Sequence, residues 1–469
     1  MTYQLLKTPI VIMVLVFIGA LTLFSCKTDM EVVNNIAPII SGTVPLIAKK
    51  GVNYYFTPEA SDADGDELIF SIINKPGWAS FDIQTGTLTG IPQQDDIGIS
   101  TGIIIEVSDG KKTASLKSFS ISVIATSGAE VIVRANTNFS SPSDISNFVT
   151  LAKENNISVI SVAVKQDEDT GLKSGEVFYN SQIAPIATGY QSFDVLADII
   201  PKAHAVGIQI KAWIPQFHDQ AAVNKNANWQ MMAYENGQVV PIGGNGNEYF
   251  VNPLHPDVQD YELSIIAEIV ENYDIDAVVL DWIRFDNYNM DVSDYTRNTY
   301  KNIFGYDPIT INFASDNAKR SEWNDWRSTG ISLYVKKVSD AINDIKPEMV
   351  LGLYVLTPEF EEVAQDPKKY MQYIDFVSPM AYYDDWGFSV DWIYREGGIL
   401  SSTNSHLGNK EMIPVFDPDW GVSIYQNIFD NIKIKYPKIT NLSFFEYGTW
   451  TESRLKNVNE IMNIADFPQ

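Results

Sequence analysis

Residues 250–286 read FVNPLHPDVQDYELSIIAEIVENYDIDAVVLDWIRFD. Apolar residues at helical spacing predict a helix over Val258–Asn272, and a short apolar strand over Asp276–Leu280 follows it. The strand ends on a carboxylate, Asp281, with Trp282, Arg284 and Asp286 just behind. A buried parallel strand that delivers an acid at its carboxyl end is how (β/α)8 barrels present reactive groups. An aspartate in that position also serves to cap the next helix, and within this stretch both readings stand.

The same grammar extends outward from residue 129 to residue 469. Apolar strands are expected at Val131–Arg134, Val159–Val164, Ile208–Ile214, Ala277–Leu280, Val350–Val355, Phe376–Met380, Met412–Phe416 and Leu442–Phe445. Helical patterns separate them, at Pro142–Asn155, Ser192–Val206, Val258–Asn272, Trp323–Ile345, Pro367–Tyr373, Val390–Ser401, Ser423–Tyr436 and Thr451–Ile464. Eight strands, each followed by a helix, are what a (β/α)8 TIM barrel with long loops requires, and the quoted stretch holds the fourth. An open doubly wound sheet would begin with a glycine-rich phosphate turn, whereas the first strand here runs into Arg134-Ala135-Asn136-Thr137.

Residues 36–125 follow a different pattern. Tyr54–Phe56, Leu68–Ile72, Gly102–Val107 and Ser118–Val123 are short β-rich runs punctuated by Pro, Gly, Asn and Asp, which predicts an all-β sandwich. Pro76-Gly77-Trp78-Ala79-Ser80-Phe81-Asp82, Thr85-Gly86-Thr87-Leu88-Thr89-Gly90-Ile91-Pro92 and Val107-Ser108-Asp109-Gly110 together resemble the bacterial putative-Ig, cadherin-like repeat. Asp62, Asp64 and Asp66 alternate around Gly65, and such a turn can offer calcium several hard oxygens at once. A solvated turn between two strands is the other reading. The unit is expected to act as a spacer.

The chain opens with Lys7, an almost wholly apolar run from Pro9 to Leu23, and Leu23-Phe24-Ser25-Cys26. This segment resembles the lipobox of bacterial lipoproteins. The resemblance implies removal of residues 1–25, lipidation of Cys26 and a tether over residues 26–35, which would anchor the protein in the bacterial cell envelope. Cys26 is the single cysteine of 469 residues, so no intramolecular disulfide exists. A hydrophobic content of 45% supports a large multidomain core, and a net charge of −26 opposes binding to nucleic acid by charge.

The loops after strands 2, 3 and 4 are rich in aromatics and amides, the side chains that stack on sugar rings and fix their hydroxyls. Trp213, His218 and Tyr382, beside polar residues at strand ends, are the strongest candidates for substrate contact. The runs 177–194, 203–215, 251–258, 273–281 and 374–382 resemble, in order and spacing, the glycosyl-hydrolase-like family ten of bacterial lipoproteins. The resemblance implies a glycan-directed hydrolase and carries over to Asn252, His255, Asp281 and Tyr382. The family commonly has two acids where this chain has Asp281-Trp282, so the second carboxylate does not carry over.

Glycoside hydrolysis needs one carboxylate to stabilise or attack the cationic centre and one acid to protonate the leaving oxygen. Asp281 fits the first role, with Arg284 or His255 placed to keep it ionised; an ion pair with Asp286 is the alternative for Arg284. For the acid, strand ends offer Glu446 first, then Asp384 and Asp417, each also suited to a structural role. The four histidines show no zinc-type spacing and no nucleophile elbow is present, so no cofactor is expected for the chemistry. The reading is a lipoprotein that hydrolyses a polysaccharide, with amino-sugar polymers among the candidates. A catalytically inactive glycan-binding or adhesion protein is the alternative.

Overall fold

In the computed structural model the described residues run from 35 to 465, without 94–95, 97, 125–127, 169–170, 245–247 and 348. The leader, Cys26, the tether up to residue 34 and Thr126-Ser127 of the linker lie outside them. Among the described residues no helix is long and apolar enough to cross a membrane.

The first unit is a set of short, mainly antiparallel strands. Ile69–Ile73 pairs with Gly98–Ser108, which pairs with Phe119–Ile124, and that strand takes Ile47–Lys49 in parallel. A second sheet joins Tyr54–Phe56, Leu88–Gly90 and Ser80–Phe81. Alternate residues of the longest strand, Ile103, Ile105 and Val107, point to one core with Phe56, Phe70, Leu88 and Ile121. Lys50 reaches across to the second unit, its Nζ lying 2.6 Å from Glu411 Oε1 with both side chains largely buried.

The second unit is built on β1 (Gly128–Arg134), β2 (Ile157–Ala163), β3 (Gln209–Pro215), β4 (Ala277–Asp281), β5 (Val350–Val355), β6 (Phe376–Pro379), β7 in two pieces (Glu411–Met412 and Val415–Phe416) and β8 (Asn441–Phe445). All neighbours pair in parallel. The first piece of β7 pairs with β6 and the second with β8, and a Met380–Val415 bridge joins the two edges, so the sheet runs round as a barrel. Pro414 divides β7 because it has no N–H for the ladder; its carbonyl still accepts from Ser443 at 3.0 Å.

Helices α1 (Pro142–Glu154), α2 (Val195–His204), α3 (Pro256–Asn272), α4 (Asn317–Ile345), α5 (Pro367–Tyr370), α6 (Ile399–Asn404), α7 (Val422–Lys435) and α8 (Glu452–Ala465) follow the strands in turn. Outward strand residues meet the helices in one apolar layer. Inward residues, among them Ile132, Trp213, Val279, Tyr354, Phe376 and Phe445, fill the lumen. Gly352 of β5 lies so close to Phe376 that a Cβ there would sit 2.1 Å from the ring. The floor of the lumen is polar: Lys211 Nζ lies 2.7 Å from Glu130, and Tyr354 bridges Glu130 at 3.0 Å and Ser161 at 2.8 Å.

Several elements depart from the sequence expectation, among them three near the site. The helix over Val390–Ser401 is broken into a 3-10 turn, Val390–Ile393, and α6, with Gly397 in the left-handed region (φ 74°) between them. A hairpin, Met232–Glu235 with Gln238–Pro241, projects from the β3 loop on an Asn236-Gly237 turn in which both residues have positive φ. A further helix, Asp294–Phe304, precedes α4.

Candidate active site

A cavity of about 380 Å³ opens at the carboxyl ends of the barrel strands. Asp281 lies at its base as the last residue of β4 and is only 8% exposed. Trp213, two residues before the end of β3, donates its indole N–H to Asp281 Oδ2 at 3.1 Å. Trp282 takes a left-handed backbone (φ 55°), strained for a bulky residue. That turn brings its own N–H back onto Asp281 Oδ1 at 2.7 Å. Strain held in this way is typical of sites that fix a functional group.

Burial pushes the Asp281 carboxyl up to about 6, against the Trp282 N–H and the Arg284 charge, which favour the anion. Arg284 lies with its guanidinium 4.1 Å over the Trp282 ring and pairs with Asp286, so the ion pair foreseen for it exists. It lines the cavity all the same, and its buried Nε has no hydrogen-bond partner. Burial pushes it down to about 10 while Asp281 and Glu248 oppose that shift.

Opposite stands Arg134 from the end of β1, held by Asp167 at 2.6 Å and Glu168 at 2.9 Å. Burial works against its charge, but these two acids outweigh burial and keep it protonated above its usual range. The exposed ring of Tyr447 covers it at 4.8 Å. Tyr354, Leu356, Met380, Tyr382, Trp386 and Phe445 complete an apolar and aromatic wall. Such a chamber can take a sugar ring by its faces and present Asp281 to it from below.

Arg327 of α4 ties down one rim. It is fully buried and donates to the carbonyls of Asn287 (2.7 Å), Met290 (2.5 Å) and Glu362 (2.9 Å), while Trp323 donates to Tyr288 at 2.8 Å. The loop that carries Trp282 and Arg284 is thereby fastened to the loop after β5. Arg327→Ala is expected to speed amide exchange across residues 284–291 at least tenfold, about 1.4 kcal/mol of local stability, while the barrel strands keep their protection. Mass-detected hydrogen exchange would show it.

Of the residues foreseen from sequence, Asp281, Trp213, Tyr382 and Arg284 meet in this cavity. His218 is fully buried behind it, stacked on Phe250 at 4.8 Å with its edge on Trp282. Asn252 donates to Thr296 at 2.8 Å and Ser293 at 3.2 Å within a buried network. His255 precedes α3 and accepts from the Asp257 N–H at 3.2 Å. Glu446 accepts from Gly448 at 2.9 Å and pairs with Arg454 at 3.2 Å. Asp384 accepts from the Trp420 indole at 3.0 Å. Asp417 accepts from the Asp419 N–H, and burial together with Asp419, Asp384 and Glu446 raises its carboxyl above the usual range. None of these last six residues lines the cavity. Sequence reasoning passed over Arg134, Asp167 and Tyr447, and it offered Asp385 beside Asp384 without ranking it; all four stand beyond or at a strand's carboxyl end, which is the signal they carry.

In the first unit Asp62, Asp64 and Asp66 bring carboxylate oxygens within 4.8 Å of one another. Asp62 Oδ1 accepts from the Asp64 N–H at 2.8 Å, and Lys111 pairs with Asp66 at 2.9 Å. Asp109 is linked to Asp66 through Asn35 and Lys111, and its carboxyl is drawn down to about 2 chiefly by the Lys112 N–H and by Asn35.

A model of the family described as Glycosyl hydrolase-like 10 matches residues 132–396. An S-layer-related protein of Niallia circulans is 26% identical over 241 residues, 45% of this chain and 15% of that protein. Glycosyl hydrolase DigH of Escherichia coli O6:H1 is 27% identical over 173 residues, 34% of this chain and 35% of its own length. The chain therefore matches about a third or less of the length of these curated relatives. The PgaB (BpsB) glycoside hydrolase domain from Bordetella bronchiseptica superposes with a TM-score of 0.55 at 13% identity, covering 73% of this chain and 98% of that domain, a likeness of fold.

Proposed function

The chain belongs to the glycosyl hydrolase-like 10 family, and from that premise we propose that it hydrolyses glycosidic bonds of a polysaccharide at the Asp281 cavity. The observation that carries the reading is a buried carboxylate at the carboxyl end of β4, held by two tryptophans at the base of an aromatic chamber. Aromatic faces take the sugar, Trp213 and the Trp282 N–H aim the Asp281 carboxylate, and its negative charge stabilises or captures the positive centre at the anomeric carbon. Polymers of amino sugars are the first candidates, because the aromatic faces for a sugar ring and the carboxylate that would orient an acetamido group line the same cavity. The test is release of reducing ends from amino-sugar and neutral polysaccharides by the wild type. No release from any of them would remove the hydrolytic reading.

A second reading draws on the same geometry. Most acids near the barrel's rim are already held by donors, as in the Asp384–Trp420 and Glu446–Arg454 contacts, which suits a protein that binds glycans without cleaving them. Glycan retention without product release would favour it.

The rest of the architecture is assigned from sequence. The first unit is an Ig-like, cadherin-like spacer, and Cys26 is the lipid-anchoring residue of a cell-envelope protein. Calcium is the ligand proposed for Asp62, Asp64 and Asp66: the three oxygens are of the hard type calcium requires, and the buried Asp62 Oδ2 has no hydrogen-bond partner. Adding calcium at a hundredfold excess over its Kd is expected to stabilise this unit by about 2.7 kcal/mol and to leave Asp62→Asn unchanged. A melting temperature indifferent to calcium in the wild type would end that assignment.

A further inference from the structure

We propose that Asp385 is the proton donor that works opposite Asp281; the assignment rests on the hydrolytic reading above. It follows from what holds each acid near the cavity. Glu359 accepts from the Trp392 indole at 2.6 Å, and Asp384 from the Trp420 indole at 3.0 Å. Asp419 and Glu446 share Arg454, at 3.1 and 3.2 Å. Asp167 is forked onto the buried Arg134. Each of those carboxylates is already engaged by a donor of the fold, and Asp417 accepts from the Asp419 N–H. Asp385 differs: it lines the cavity with Asp281, and among the described residues nothing donates a hydrogen bond to it.

Local chain direction explains the difference. After β6 the backbone turns through residues 382–387, sending Asp384 outward to Trp420 while Tyr382, Asp385 and Trp386 face the chamber. Partial burial and the neighbouring Asp384 hold the Asp385 carboxyl above its usual range, the state a donor needs. In the step itself the Asp385 O–H gives its proton to the glycosidic oxygen as the bond from the anomeric carbon to that oxygen breaks. The bonding pair leaves with the oxygen, and the departing sugar is released as an alcohol. The anomeric carbon, supported by Asp281, then takes one water, whose proton returns to the Asp385 carboxylate.

The test uses two probes with the full chain: phenyl and 2,4-dinitrophenyl N-acetyl-β-glucosaminide. The first leaving group requires a proton and the second departs without one. Asp385→Ala and the isosteric Asp385→Asn are expected to lower kcat/KM on the phenyl glycoside by about 10²- to 10⁴-fold and on the dinitrophenyl glycoside by less than about tenfold. Asp281→Asn should lose both. If Asp385→Ala matches the wild type on both probes, or Asp384→Asn or Glu446→Gln shows that leaving-group pattern instead, the assignment fails while the hydrolytic reading survives. If the wild type cleaves neither probe, the amino-sugar reading and this assignment fall together.

Discussion

Asp281→Asn is expected to abolish the proposed hydrolysis and, above about pH 6, to make the protein harder to unfold. Burial pushes this carboxyl up to about 6, whereas in the unfolded chain it titrates near the ordinary aspartate value of about 4. Between those values the folded state keeps a proton that the unfolded chain has released. The stability associated with Asp281 is therefore fully present below about pH 4 and is lost as the pH rises through about 6. The difference corresponds to about 3 kcal/mol, and it is what remains after the Trp282 and Trp213 N–H groups have favoured the anion. Asparagine carries no charge, so urea midpoints of the two proteins should lie close at pH 4.5 and separate in favour of the variant at pH 8. In the proposed hydrolysis Asp281 acts as the anion, so turnover is expected to rise through about pH 6 in the wild type. In the variant it falls by about 10³-fold or more, the scale of losing a group aimed at developing charge. Equal turnover by both proteins would take Asp281 out of the chemistry, and pH-independent spacing of the midpoints would contradict the role given to burial.

What could be read from the chain beforehand follows from how each feature is encoded. A strand buried on both faces must be a continuous apolar run, so Val350–Val355 and Ala277–Asp281 stand where their residues say they should. Helix periodicity, by contrast, does not register a pair of glycines: Gly397-Gly398 splits the segment after β6 although its apolar spacing continues past them. The Asn236-Gly237 turn was a local signal for the hairpin, overshadowed by the aromatic content around it.

The site divides in the same way. Residues on a strand's last positions, Trp213 and Asp281, face the chamber because the strand's alternation decides their side. Beyond the strand that rule lapses. Asp384 and Asp385 are equivalent in sequence, yet only one faces the cavity, and the choice is made by Trp420 thirty-six residues away. From sequence Arg134 shows only the absence of a phosphate turn, because its partner Asp167 and its cover Tyr447 come from the loops after β2 and β8. Asn252 and His255 stand out in a family pattern and are found in loop-building contacts. Asn252 ties the β3 loop to Thr296, and His255 precedes the first turn of α3.

Lys165→Met should be the most destabilising single change in the barrel, by about 3–5 kcal/mol. Lys165 follows β2 and is fully buried between Glu262 at 2.6 Å and Asp219 at 2.8 Å, and it also donates to the Gln216 carbonyl at 3.0 Å. One cation thus serves two acids, all three side chains fully shielded from solvent. Burial opposes the lysine's charge, yet Asp219 and Glu262 raise its pKa above the ordinary value. Burial and the Asp219 charge hold Glu262 well up toward its neutral form despite Lys165. The lysine's charge then faces less than two full negative charges, because Glu262 is drawn toward its neutral form. Removing the lysine leaves two acids facing each other, whereas Glu262→Gln keeps the size and nearly the charge state and should cost less than about 1 kcal/mol. The surroundings offer no slack. Gly175 (φ 84°) approaches so closely that a Cβ there would sit 1.9 Å from Asp219, and Tyr334 closes the far side through Gln216. Urea unfolding followed by tryptophan fluorescence separates the two variants. Equal losses for Lys165→Met and Glu262→Gln would mean that both acids are ionised in the fold, and that the lysine holds a doubly charged pair.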